Sequence, residues 1–140
     1  MYQKSDENIE VLMDKVEYCK NKVLFSEGFG GCYGICIYRK SFFSCEGFFA
    51  HFEPSYINYM GTQLNEMYSK FKRKNNIKGI VLIEKEFSSS LDLIIDEIKE
   101  VFGNINIVIE TYDKCINNKV IINFKKKYVQ INEEKILKLS

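Results

Sequence analysis

The sequence predicts an α+β domain, and three observations carry that prediction. Residues 33–38 and 47–52 are short apolar and aromatic runs either side of a polar break, the pattern of a β-hairpin. Two apolar stripes at helical spacing follow, over residues 57–74 and 91–102. Further β-rich runs, 105–110, 120–124 and 128–131, lie toward the end of the chain. The 140 residues suffice for one hydrophobic core, so a single domain over residues 1–140 is expected.

The N-terminal segment reads two ways. Ile9, Leu12, Met13, Val16 and Cys19 match a helical period, while Val11, Met13, Val23 and Phe25 match strand alternation. Both arms of the proposed hairpin are apolar on both faces, so its sheet is expected to be covered on each side. After Pro54, Ile57, Met60, Leu64, Met67 and Phe71 recur at helical spacing until the polar KRKNN stretch. Residues 78–84 read as a strand. Ser88 to Ser90 then offer N-caps to a helix whose stripe of Leu91, Ile94, Ile95, Ile98, Val101 and Phe102 is closed by Gly103.

Composition bounds the function. The chain is 46% hydrophobic, 28% charged and 14% aromatic, as in an ordinary folded globule. A formal net charge of +1 with interspersed signs gives no basic stripe for nucleic acid. Lys125 to Lys127 form one basic cluster, which a solvated or aggregation-guarding strand edge explains. No long apolar run or signal-like opening is present, so a cytoplasmic protein that is not membrane-inserted is expected. The five cysteines (Cys19, Cys32, Cys36, Cys45, Cys115) are odd in number and irregularly spaced, which suggests reduced thiols.

The stretch SEGFGGCYGIC, residues 26–36, holds four of the eight glycines around Cys32, and the chain's one histidine, His51, lies in the second arm of the hairpin. A turn centred between Ser41 and Phe42 sets Cys32 directly opposite His51, with Cβ atoms about 4.5–5.5 Å apart. A register slip of two residues still leaves both on one face. At about 4 Å and an effective dielectric of about 20, thiolate and imidazolium attract by about 4 kcal/mol, roughly three pKa units. A charged pair at neutral pH is therefore expected. Backbone N–H groups of a glycine turn, from Gly30, Gly31 and Tyr33, can hold an oxyanion; the same glycines also suit a plain tight turn.

Phe29, Tyr33 and Glu27 are candidates for the substrate entrance, Phe29 and Tyr33 equally for core packing. Glu27, Glu46 and Glu53 flank the site as tuning or solvated charges. Zinc held by Cys32, Cys36, Cys45 and His51 ranks lower, since residues four apart on one strand stand about 13 Å from each other and no CxxC pair exists. No metal or organic cofactor is expected. Cys19, Cys36, Cys45 and Cys115 read as small core hydrophobes.

KVLFSEGFGGCYGICIY followed by GFFAHF resembles the CheD family of chemoreceptor glutamine deamidases, in which Thr-x-Gly-x-Gly-Ser-Cys precedes a hairpin ending in Gly-Gly-Met-Ala-His. That family shares its Cys-His fold with deamidase toxins such as cytotoxic necrotizing factor. The resemblance implies a layered sandwich of mixed β-sheets with helices packed outside, and strands in the N-terminal segment. It implies Cys32 as nucleophile, His51 as general base, and Ser26, in the threonine position, as the residue that orients the histidine. It implies a cysteine-dependent protein-glutamine glutaminase acting through a thioester on an exposed glutamine. The implied substrate is a methyl-accepting chemoreceptor helix, and the implied partner a CheC-type phosphatase. Three alternatives stay open: a toxin-like deamidase of another protein, which would be secreted; a thiol hydrolase of small amides; and a catalytically inert CheD-like binding protein.

Overall fold

The computed structural model describes residues 8–28, 31–113, 118–133 and 135–140. Its strands are β1 (Asn8–Glu10), β2 (Lys15–Lys20), β3 (Val23–Ser26), β4 (Tyr33–Lys40), β5 (Cys45–Phe52), β6 (Ile77–Glu84), β7 (Asn106–Tyr112), β8 (Val120–Asn123), β9 (Tyr128–Ile131) and β10 (Lys135–Lys138). The helices are α1 (Met60–Lys70) and α2 (Leu91–Phe102), each entered through a 3-10 turn. The strands form two five-stranded sheets, in the orders β1-β3-β8-β9-β10 and β2-β5-β4-β6-β7. Both are mixed, because β1 runs parallel to β3 and β6 parallel to β7. The α+β sandwich of sheets with helices outside is the architecture found.

Two cores follow from strand parity. One face of the second sheet carries Cys36, Tyr38, Phe49, Ile80 and Leu82, which meet Leu24, Ile122 and Val129 of the first sheet and Phe124 in the turn after β8. The other face carries Ile35, Ile37, Phe48, Ala50, Val81 and Ile83, which meet Leu64, Met67, Ile94 and Ile98 of the helices. The central strands β4 and β5 are thus buried on both faces, as their unbroken apolar runs require.

The N-terminal ambiguity resolves to strands. Asp14 and Asn21 adopt left-handed φ values of 60° and 56°, turns that a helix cannot continue through. Leu12 and Met13, members of the supposed helical stripe, are exposed. The hairpin turn lies one position later than expected: Lys40 pairs with Cys45, and the Ser41 amide donates to the Ser44 carbonyl at 2.8 Å. His51 therefore faces Gly34, not Cys32.

Smaller differences have local causes. Pro54 opens a 3-10 turn, Pro54–Tyr59, so α1 starts later than the apolar period; Phe71, extended at the C-cap, ends it. Ser90 stands at the α2 N-cap without a side-chain capping bond, because the preceding 3-10 turn already gives it helical dihedrals. Gly103 ends α2 with φ 78°, its amide bonding the Lys99 carbonyl. The basic cluster is a turn, not a strand edge: the Lys126 amide donates to Asn123 Oδ1 and Lys127 is left-handed. Strand β10 lies beyond the strands that the sequence predicts.

Candidate active site

The two sheets meet at Ser26 and His51. Ser26 ends β3 of the first sheet and His51 sits near the end of β5 in the second, both essentially without solvent exposure. Their contact is a hydrogen bond of 2.6 Å between Ser26 Oγ and His51 Nδ1. Ser26 Oγ also lies 2.5 Å from the carbonyl oxygen of Val11. A hydroxyl has one proton and a carbonyl can only accept, so the Ser26 proton goes to Val11. Nδ1 must then donate to Ser26. His51 is thereby held as the Nδ1–H tautomer, with Nε2 as its lone-pair nitrogen.

Cys32 lies two residues before Gly34, the direct partner of His51, so the cysteine and the histidine take up the diagonal relation on one face of the sheet. Such neighbours are about 7–8 Å apart at the backbone, within reach of a long side chain. Gly34 carries no side chain to stand between them. The expectation of direct opposition is corrected by one residue at the turn, which moves the partner by two and preserves the face.

Burial pushes the His51 pKa down to about 4, with the Asp14 carboxylate pulling it partly back up. The imidazole is neutral at neutral pH, so the imidazolium of the expected ion pair is not its resting form. A histidine depressed in the fold binds fewer protons there than in the unfolded chain between the folded value of about 4 and the model-peptide value of 6.5. Stability is unaffected by this group above that window and falls as pH drops through it, by at most about 3 kcal/mol once both values are passed. Urea unfolding from pH 7 to pH 4 is expected to show this loss in the wild type, and a visibly flatter dependence in His51→Gln.

Ser26→Ala removes the acceptor of Nδ1–H and the donor to Val11 in one step. The expected loss is about 1–3 kcal/mol, read as a lower urea midpoint, because two buried polar groups lose their partner. An unchanged midpoint would mean that the hydrogen-bond chain is not held as described.

Of the other predicted site residues, Gly31 has φ 82°, a value open to glycine and strained for other residues, and its neighbour Gly28 has φ 75°. Phe29, Gly30 and Cys115 lie outside the described residues. The Tyr33 side chain is not at an entrance: it points to the helix side, buried, with its hydroxyl 3.7 Å from Met60 Sδ. Strand parity sends Tyr33 and Cys32 to opposite faces. Glu27 is exposed and makes a 3.8 Å ion pair with Lys119, a solvated contact of little energetic weight. Glu53 is exposed and accepts from Ser55 Oγ. Burial pushes the thiol of Cys19 up to about 11, that of Cys45 to about 12 and that of Cys36 well above its ordinary value, as suits packing residues. Among the described residues no helix is long and apolar enough to cross a membrane.

Four residues of this region escape the sequence reading. Gly34 and the Val11 carbonyl act through backbone placement, which a residue type does not advertise. Tyr112 of β7 donates its hydroxyl to the Cys32 carbonyl, a pairing across 80 positions. It also lines a cleft of about 390 Å³ with Lys85, Thr111, Asn118 and Ile131. Glu84, the last residue of β6, is buried on the same face as Cys32; an acid ending an apolar strand was the signal for it. No protein-family model matches this chain, and no curated protein matches it either.

Proposed function

We propose that this protein is a cysteine-dependent amidohydrolase that converts the side-chain amide of a glutamine in a protein substrate to a carboxylate. One observation carries the reading: Ser26, committed to Val11, leaves His51 neutral with Nε2 as a base on the sheet face that carries Cys32. A core histidine needs only satisfied nitrogens; a tautomer dictated by a buried hydroxyl beside a cysteine is what thiol activation requires.

In the first half-reaction the Cys32 thiol passes its proton to His51 Nε2 as Sγ bonds the amide carbon. The oxyanion is met by backbone N–H groups of the glycine bend, for which Gly31 at φ 82° supplies the conformation and Gly30 and Tyr33 are the neighbouring candidates. His51 returns the proton to nitrogen, the C–N bond breaks, and ammonia leaves a thioester. In the second half-reaction His51 takes a proton from water, the hydroxide oxygen bonds the same carbon, the C–S bond breaks, and the proton returns to sulfur. The products are a glutamate side chain and the free thiol. No step needs a metal or an organic cofactor. Proton transfer of this kind contributes about 10²–10⁴ in rate.

The resemblance to CheD proteins suggests chemoreceptor helices as the substrate and a CheC-type phosphatase as a partner. The test is to incubate the protein with receptor cytoplasmic helices and with an N-blocked Gln-Gly dipeptide, following ammonia release and the Gln-to-Glu mass shift. Release of ammonia that depends on Cys32 supports the reading; no conversion of any glutamine by the folded protein overturns it. The burial of Cys32, 5% exposed, favours the inert binding protein as a second reading. Slow iodoacetamide labelling of Cys32, no faster than its sister thiols, is the outcome expected from that one.

A further inference from the structure

On the sheet face shared by Cys32 and His51, β6 continues from Ile80 and Leu82 to Glu84. Glu84 is 1% exposed, and neither of its carboxylate oxygens meets a hydrogen-bond partner among the described residues. The ladder of β4 and β6 begins with Tyr33 opposite Ile83, so Cys32 and Glu84 are the residues just beyond its last pair. On the other side Glu84 pairs with Tyr112, whose hydroxyl crosses β6 to the Cys32 carbonyl. Burial first, and then Cys32 and Glu84, push the Tyr112 hydroxyl pKa up, as expected of three groups that share one enclosure.

Folding has no use for an unpaired carboxylate between apolar strands; an amide or a thioether of the same size would be less costly there. Sites that break packing rules in this way are where ligands are bound. A carboxylate only accepts, through two oxygens, and a primary carboxamide is a group that presents two N–H donors on one nitrogen. We infer that Glu84 is the specificity-determining residue that selects a primary carboxamide at Cys32, accepting the N–H groups of the nitrogen that leaves; the inference rests on the amidohydrolase reading. An ester in the same place offers no donor and sets its oxygen lone pairs against the carboxylate, so it is rejected. The carboxylate product is repelled by like charge, which favours its release.

Alkylation tests this without turnover. Iodoacetamide and methyl iodoacetate carry the same leaving group and differ as amide and ester. Their rates at Cys32, mapped by peptide mass and each divided by the rate with glutathione, give an amide preference for wild type, Glu84→Gln and Glu84→Met. The wild type is expected to favour the amide by about tenfold, the discrimination supplied by a hydrogen bond to a charged acceptor. Glu84→Met removes that preference, and Glu84→Gln, which keeps one acceptor oxygen, retains part of it. Both variants melt at or above the wild-type temperature, because a buried carboxyl group without a hydrogen-bond partner among the described residues is gone. A preference unchanged in both variants, or both reagents slowed equally, overturns the inference. Should the wild type convert no glutamine, in receptor helices or in the Gln-Gly dipeptide, the hydrolase reading fails, while the reagent ratio at Cys32 still decides the role of Glu84.

Discussion

Cys32→Ala is expected to lower the kcat for glutamine deamidation by on the order of 10⁴ or more, the effect of removing the atom that forms the covalent intermediate. The substitution is chemically clean. Tyr112 bonds the Cys32 carbonyl and not its side chain, so the backbone anchor survives. Loss of one sulfur from a buried site leaves a small void that costs about 1–2 kcal/mol at most. A folded, inactive variant is therefore the prediction, read by ammonia release beside a urea melt. The pH profile supplies the companion measurement. With His51 at about 4, the acid limb of kcat/KM falls near that value and not near the 6.5 of a solvated histidine. Iodoacetamide near neutral pH is expected to reach Cys32 ahead of Cys19, Cys36 and Cys45, because Cys32 shares its sheet face with His51, whose Nε2 can take the thiol proton as sulfur attacks. Ammonia release that survives Cys32→Ala would remove the nucleophile, whatever the profile.

Gly47→Ala is expected to destabilise the fold strongly. A Cβ there collides with the Ile37 carbonyl oxygen and meets Tyr38 Cα at 2.8 Å. Both are backbone atoms of β4, so the strand that carries the approach to Cys32 must part from the strand that carries His51. Overpacking of this kind costs about 3 kcal/mol, lowering the melting temperature by about 10 °C for a chain of this size. Gly61→Ala is the control. Its Cβ meets only Glu97 Oε2, at 3.3 Å, the movable end of a side chain. Inside α1 the alanine gains helix propensity of about 0.5–1 kcal/mol, so this variant melts at or above the wild type. Equal melting temperatures for the two alanine variants would mean that the hairpin is not packed as described.

Local patterns carried much of this architecture. The double-faced apolar runs of β4 and β5 announced a covered hairpin, and the stripe ending at Gly103 announced α2, because burial demands are written in the spacing of side chains. Cys32, His51 and Ser26 were legible as residue types at suggestive positions, and even an error of one residue in the turn left the cysteine and the histidine on one face, since side chains alternate with a period of two. What the sequence could not determine was decided by contacts between distant segments. The choice of strands over a helix near the N-terminus came from left-handed turns at Asp14 and Asn21 and from pairing with β5 and β3. The histidine tautomer depended on the Val11 carbonyl, a backbone atom brought across from the first sheet. The placing of Glu84 and Tyr112 beside Cys32 depended on the register of β6 and β7. Hydrogen bonds and burial of this kind belong to pairs of residues far apart in the chain, and only the closed fold brings such pairs together.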